Sequence, residues 1–154
     1  MKEEREEGIK EYEELCKKYK ELPNLKKIEE EFEIRLQSPV ISFLMRVLLE
    51  KMGQSANHIE ILFAPARMAD MIECKFHDEE EKKKLFEFYK KTLALIHEMT
   101  KTLLENREAR ITAIINGLKF YEKELKPTMR NYLEKQAKGW LKQEKPEVKG
   151  QYFG

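Results

Sequence analysis

The chain has 154 residues, of which 41% are hydrophobic and 38% are charged, and its formal net charge is only +1. This length suits one domain, and the composition excludes intrinsically disordered and fibrous proteins. No run approaches the roughly 18 apolar residues of a membrane helix, and the opening Met-Lys-Glu-Glu-Arg is unlike a secretory signal. We therefore expect a soluble cytoplasmic protein with no membrane partner.

Apolar residues at three- and four-residue steps predict two amphipathic helices at the start of the chain. The first covers residues 1–22 and ends before Pro23, because the residue before a proline disfavours helical geometry. Glu/Lys pairs four residues apart support it. The second helix repeats the apolar spacing over residues 25–36.

A hydrophobic central helix is predicted over residues 39–52. Ser38 supplies an N-cap, and Pro39 suits the first helical position, where its missing N–H is no loss. The segment is apolar on nearly every side, which is typical of a buried helix. Gly53 is expected to end it, and Ser55 is expected to cap a short further helix.

Helical spacing returns after Pro65, and Asp78 marks the clearest helix start in the chain. Asp78 is a preferred N-cap, and Glu81 completes a capping box at the positive end of the helix dipole. Apolar residues then recur through residues 79–125, as one helix or as two with a left-handed turn at Asn106. We favour the turn, because helices beyond about 25 residues are uncommon in compact domains.

Pro127 begins or kinks a last helix that runs to about Lys142. Since alternating β-branched runs do not occur, we expect an all-α fold: a single-domain bundle of about six to seven helices over residues 1–142. Residues 143–154 lack periodicity and are predicted to form a flexible tail. The residues expected on the inner side of the last helix are Met129, Tyr132, Leu133, Gln136, Ala137, Trp140 and Leu141.

Charge is unevenly distributed along the chain. Residues 1–35 carry a net charge of −3, residues 36–106 carry −1, and residues 107–154 carry +5. Glu supplies 27 of the 29 acids and Lys 23 of the 30 bases. This enrichment is typical of proteins from hot environments and equally of exposed helix surfaces.

The basic stripe of the last helix is the candidate nucleic-acid-binding surface. Steps of 100° per residue place Asn131, Lys135, Lys138 and Lys142 on one side of the helix, over ~16 Å. Such a stripe would follow phosphates by charge without reading bases, and a solvated lysine face is the alternative. Further basic residues would widen the stripe if the preceding helix packs alongside: Arg107, Arg110, Lys119, Lys123, Lys126 and Arg130.

Catalytic and metal-binding patterns are weak. Cys74 and His77 are spaced to chelate a soft metal ion, but two ligands do not make a site, and structural roles are the alternative. Cys16 and Cys74 are expected to be reduced thiols. The serines lack flanking glycines, and the glycines are too scattered to form a phosphate-binding loop. We therefore predict no catalytic residue, cofactor or metal ion.

Tyr152 and Phe153 near the end of the chain are candidate partner-binding residues, since aromatic side chains on a flexible arm anchor well in grooves. Folding back over the chain's own bundle and disorder are the alternatives. The sequence favours a non-catalytic helical interaction or assembly subunit of a complex or homo-oligomer. Sequence-independent nucleic-acid binding through residues 107–149 is the first alternative, and a metal-dependent helical enzyme is the second.

Overall fold

A computed structural model describes residues 1–144, and within them it contains seven α-helices and no strand. A 3-10 turn, Thr102–Leu104, follows α5, and a π-helical segment, Tyr121–Leu125, joins α6 to α7. Packing of these helices on one another confirms the predicted all-α single-domain bundle. The helices are α1 (Lys2–Lys18), α2 (Leu25–Phe32), α3 (Val40–Glu60), α4 (Met68–Cys74), α5 (Glu79–Lys101), α6 (Arg107–Phe120) and α7 (Lys126–Lys142).

Helix α3 forms the centre of the bundle, as its apolar sequence predicts. Val40, Leu48, Met52 and Ile59 have no solvent-exposed surface. The helix packs mainly against α5 and α6, and Met99 of α5 is equally buried. Full burial of each such side chain stabilises the fold by about 1.5–3 kcal/mol relative to exposure.

Helix α3 is longer than predicted, because Gly53 does not end it. The helix continues for about two turns, and no atom lies within 4 Å of the position that a Cβ on Gly53 would take. A glycine inside a helix costs only about 1 kcal/mol, which the burial of Ile59 in the continuing helix outweighs. Ser55 is accordingly not an N-cap, and its hydroxyl donates to the Lys51 carbonyl at 2.9 Å.

The N-terminus of α3 is capped by a side chain from α1 rather than by Ser38. Pro39 takes the N-cap position, so the helix begins one residue later than predicted, and Pro39 offers no side-chain acceptor. The Glu11 carboxylate accepts hydrogen bonds from the Val40 N–H at 3.1 Å and from the Ser38 hydroxyl at 3.2 Å. The negative charge also suits this end of the helix dipole. Local sequence does not reveal this cap, because Glu11 and Val40 are 29 residues apart.

Helices α1 and α2 both end earlier than their apolar spacing predicts. Helix α1 stops at Lys18, because Tyr19 adopts extended geometry. Helix α2 stops at Phe32, because Glu33 adopts left-handed backbone geometry with a φ of 52°. Leu36 is still fully buried. Its spacing therefore predicted burial correctly and helical structure wrongly.

Helices α5 and α6 are separate, as favoured for residues 79–125. Asp78 caps α5 by accepting a hydrogen bond from the Glu81 N–H at 2.8 Å. Asn106 caps α6 by accepting one from the Ala109 N–H at 2.9 Å. The φ of Asn106 is −80°, so the break comes from an extended N-cap and the predicted left-handed geometry is wrong.

The π-helical segment carries the chain from α6 into α7 without a loop. Pro127 is the second residue of α7, directly after this segment. Proline lacks an N–H and its ring clashes with the carbonyl four residues back, so regular α-helical bonding is relaxed where it enters a helix. Helix α7 therefore extends α6 instead of packing beside it. Within residues 1–144, no helix combines the length and apolar character needed to cross a membrane.

Candidate interaction surfaces of helix α7

Helix α7 is attached to the bundle along one narrow line of side chains. Met129, Tyr132 and Gln136 are buried, and they follow one another at three- and four-residue steps. The Tyr132 hydroxyl donates to the carbonyl oxygen of His58 at 2.9 Å, near the end of α3. Helix α4 packs against α7 as well. The side of the helix that faces away from this line is left at the surface.

Gln136 is the centre of a buried polar network. Its amide nitrogen donates to the Glu73 carboxylate at 3.0 Å and to the Tyr132 hydroxyl at 3.1 Å. Its carbonyl oxygen lies 2.8 Å from His77 Nε2, which therefore donates. Trp140 Nε1 donates to the other oxygen of Glu73 at 2.9 Å. Burial, reinforced by the negative charge of Glu73, raises the pKa of the Tyr132 phenol and keeps its hydroxyl protonated.

His77 is enclosed on its other side as well. Its side chain is 2% exposed, and Nδ1 lies 3.4 Å from a carboxylate oxygen of Glu81. Its ring stacks on that of Tyr132 with the centroids 5.3 Å apart. Within residues 1–144, every buried side-chain nitrogen and oxygen atom has a hydrogen-bond partner. The network therefore holds α4, α5 and α7 together and leaves no polar group aimed at a ligand.

Cys74 and His77, the weak metal candidates, face different parts of the bundle. The Cys74 thiol lies 3.5 Å from the carbonyl oxygen of Ile61 and 3.7 Å from that of Leu62. His77 faces Gln136. In the described part of the chain, no three His, Cys, Asp or Glu side chains are grouped so as to hold a metal ion. The three-residue spacing thus does not bring the two side chains to one site.

The basic stripe of α7 is partly engaged with carboxylates. Lys135 forms an ion pair with Glu81 of α5. Lys138 pairs, at 3.1 Å, with an acid one turn earlier on its own helix. Asn131 and Lys142 are exposed, and Lys142 has no ion pair among residues 1–144. Each pair lowers the positive charge that the stripe presents to a phosphate.

The basic residues of α6 do not widen the stripe, because α6 and α7 run end to end. Arg107 begins α6, 28 residues before Lys135, which corresponds to roughly 40 Å along a helical path. Arg110 donates to main-chain carbonyl oxygens of Thr102 and Glu105. The arrangement with two parallel basic helices is therefore not formed.

Two of these basic residues face the acidic first part of the chain. Lys119 pairs with Glu21 at 2.7 Å, and Lys126 pairs with Glu31 at 2.6 Å. Basic residues of the segment 107–154 thus compensate acidic residues of the segment 1–35 within the fold. Cations that have no ion pair in residues 1–144 include Arg107 and Arg130, both of which are exposed.

The outer face of α7 is apolar and uncovered, contrary to its predicted inner position. Leu133 is 46% exposed and Leu141 is 88% exposed, and Ala137 between them is exposed as well. Steps of four residues place these three on one face, turned about 100° from Gln136. Trp140, at the edge of this face, is 40% exposed. We call Leu133, Ala137 and Leu141 the outer apolar face.

The sequence contained a signal for two separate faces. The seven residues predicted on the inner side span about half of the helix circumference. A single line of residues at three- and four-residue steps covers less than that. Met129, Tyr132 and Gln136 form one line of three- and four-residue steps, and the outer apolar face forms a second. Periodicity alone does not say which line is buried, because both are apolar enough to face a core.

The two candidate aromatic residues of the tail, Tyr152 and Phe153, lie outside the described residues, as do residues 145–151. Comparisons with known proteins found no matching family model, curated protein or solved structure. The function is therefore inferred from the side chains of this chain alone.

Proposed function

We propose that this chain is a non-catalytic helical interaction subunit that binds another protein through the outer apolar face of α7. The exposure of Leu141 and Leu133 carries this proposal. Single exposed leucines are normal on protein surfaces, whereas an apolar line along one helix face marks an interaction site. Water is displaced from such a face when a partner covers it, and this favours association by about 25 cal/mol for each Å² of apolar surface buried.

The geometry of the titratable residues supports a structural rather than a catalytic role. His77 and Glu73 are committed to hydrogen bonds within the network. His58 and His97 are exposed on separate helices. General acid–base catalysis needs such a group within hydrogen-bond reach of a bound substrate. The network instead fixes the orientation of α7, and thereby the direction in which its outer apolar face points.

Nucleic-acid binding through the basic stripe is less well supported than protein binding. Ion pairs at Lys135 and Lys138 reduce the charge available to phosphates. Exposed Lys142 and Arg130 still offer two cations on α7. Binding to a backbone through so few charges would be weak and would fall steeply as salt rises.

Photo-crosslinking distinguishes these two functions. Leu141 is replaced by p-benzoylphenylalanine in one variant, and Asn131, exposed on the basic side of the same helix, is replaced in a matched control. After irradiation in cells, we expect a protein adduct at position 141 and much less at position 131. A nucleic-acid adduct at position 131, or equal protein adducts at both positions, would contradict the proposal.

A binding assay with labelled oligonucleotides supplies the complementary result. We expect no binding at ~200 mM salt and at most weak binding at ~50 mM salt. Tight binding that is lost on charge reversal of Lys142 and Arg130 would favour the nucleic-acid alternative instead.

A further inference from the structure

The outer apolar face of α7 lies within a self-complementary sequence pattern centred on Ala137. Leu133 stands four residues before Ala137, and Leu141 stands four residues after it. Arg130 stands seven residues before, and Glu144 stands seven residues after. Steps of three, four and four residues keep Arg130, Leu133, Ala137 and Leu141 on one face of the helix. Glu144 lies two residues beyond the last helical residue, Lys142, after Gln143 in extended geometry.

We propose that the partner bound by this face is a second copy of the chain, with the two α7 helices antiparallel about a two-fold axis at Ala137. This inference rests on the proposed function and names its partner. Such an axis places each residue of one α7 helix near the residue of the second copy's α7 that stands equally far from Ala137 in the opposite direction along the sequence. Leu133 then contacts Leu141 of the second copy, and Ala137 contacts its own equivalent. This is the isologous contact typical of soluble dimers.

Charge complementarity selects both the partner and the orientation. Arg130 and Glu144 are exposed, and neither forms an ion pair among residues 1–144. In the antiparallel arrangement each Arg130 lies beside the C-terminal end of the second copy's α7, where Glu144 follows the helix, and the two-fold axis gives two equivalent ion pairs. A parallel arrangement would place like charges opposite each other, which is unfavourable. The positive charge at one end of the apolar line and the negative charge at its other end are therefore complementary when two α7 helices are antiparallel.

The size and anchoring of the central side chains suit a close helix contact. Ala137 is small, which allows two helices to approach to about 8 Å between their axes. Trp140 borders the face on one side, and its indole is held by the hydrogen bond to Glu73. By the two-fold relation, this ring lies beside Leu133 of the second copy. The contact therefore has a central small residue flanked by large apolar ones, as in well-packed helix pairs.

Disulfide trapping tests the two-fold axis directly. In Ala137→Cys the two new thiols of a dimer face each other across the axis, within the range that a disulfide requires. Asn131→Cys, exposed on another side of α7, is the matched control, and both variants retain the partly buried Cys16 and Cys74. Under mild oxidation we expect the Ala137→Cys dimer to form at least tenfold faster than the Asn131→Cys dimer. Equal rates would overturn the inference.

Charge exchange tests the orientation. Molar mass by light scattering between roughly 5 and 500 µM gives the dimer dissociation constant of each variant. We expect Arg130→Glu to weaken the dimer about tenfold, because it places carboxylates opposite each other, and Glu144→Arg to weaken it similarly. The double exchange, with both substitutions, should restore the affinity. A dimer that Arg130→Glu leaves unchanged would overturn the inference.

Failure of this inference is distinguishable from failure of the proposed function. A chain that stays monomeric over this range, but gives an adduct with a different protein at position 141, would overturn the second-copy partner and retain the interaction subunit. Absence of both a dimer and any position-141 adduct would overturn both. Circular dichroism of each variant checks that the helices remain folded.

Discussion

Replacement of two helical glycines by alanine should change the free energy of unfolding in opposite directions. Gly139 of α7 lies directly against the Phe76 ring, and a Cβ added there would be 2.4 Å from the nearest ring carbon. Gly53 of α3 has no atom within 4 Å of the corresponding position. The same chemical change therefore meets a filled site in one helix and open space in the other.

The magnitudes follow from these two environments. Alanine inside a helix is favoured over glycine by about 1 kcal/mol, so Gly53→Ala should raise the free energy of unfolding by nearly that amount. At Gly139 this gain is opposed by overpacking, because carbon atoms normally approach only to about 3.5 Å, and overpacking costs about 1–3 kcal/mol. The displaced Phe76 ring also weakens its edge-to-face contact with Trp140, worth about 0.5–1.5 kcal/mol. The net loss for Gly139→Ala is about 0.5–3.5 kcal/mol.

Urea denaturation followed by far-ultraviolet circular dichroism measures both values. For a domain of this size, 1 kcal/mol corresponds to roughly 2–4 °C in Tm, so thermal scans provide a second measurement. If Gly139→Ala is as stable as Gly53→Ala, the Phe76 ring does not rest on Gly139, and the contact between α7 and the turn that follows α4 is wrong. If Gly53→Ala lowers the stability, α3 is not continuous through that position.

Two further substitutions test the polar contacts. Tyr132→Phe removes the hydroxyl of a buried side chain that donates to the His58 carbonyl, and it should lower the free energy of unfolding by about 1–3 kcal/mol. Tyr89→Phe, whose hydroxyl bonds at the surface, should change it by less than about 0.5 kcal/mol. Equal effects in urea denaturation would contradict the buried network. The hydrogen bond from the Arg67 guanidinium holds the pKa of the Asp70 carboxyl below its ordinary value of 3.8. The ionised carboxylate therefore stabilises the fold above that pH. This contribution is lost as the pH falls through the lower pKa of the folded state. Asp70→Asn should therefore be less stable than the native chain at pH 7, and the difference in free energy of unfolding should shrink below about pH 4. A difference that stays constant from pH 7 to pH 3 would refute the link between the Arg67–Asp70 hydrogen bond and stability.

The start of α5 was predictable because its signal is local. Asp78, predicted as its cap, accepts a hydrogen bond from the N–H three residues later. Asn106 carries the same local signal and caps α6, although a left-handed turn was predicted there. The start of α3 was misplaced for the opposite reason. Its cap is the Glu11 carboxylate, which reaches Val40 only after α1 has packed against α3. A local pattern around Ser38 contains no trace of this contact.

Helix ends were less predictable than helix starts. Glycine is a residue type that often follows the end of a helix, but burial of Ile59 beyond Gly53 keeps α3 helical. Leu36 has helical spacing, but the left-handed Glu33 ends α2 before it. In both cases the energy of burial exceeds a local preference of about 1 kcal/mol. Local preference is thus a weak guide where a buried side chain follows closely.

The amino-acid sequence by itself determined that this protein is an all-α bundle built around an apolar central helix, because hydrophobic periodicity and capping residues act within a few positions of each other. Only the tertiary structure decided which of the two apolar lines of α7 is covered. Burial depends on contacts between residues far apart in the chain. Tyr132 bonds to the end of α3, and Gln136 bonds to Glu73 of α4 and to His77 in the turn before α5. Their line is therefore buried, and Leu133 and Leu141 remain exposed to water. The proposed function depends on that exposed line, so it could be inferred only from the packing of the helices.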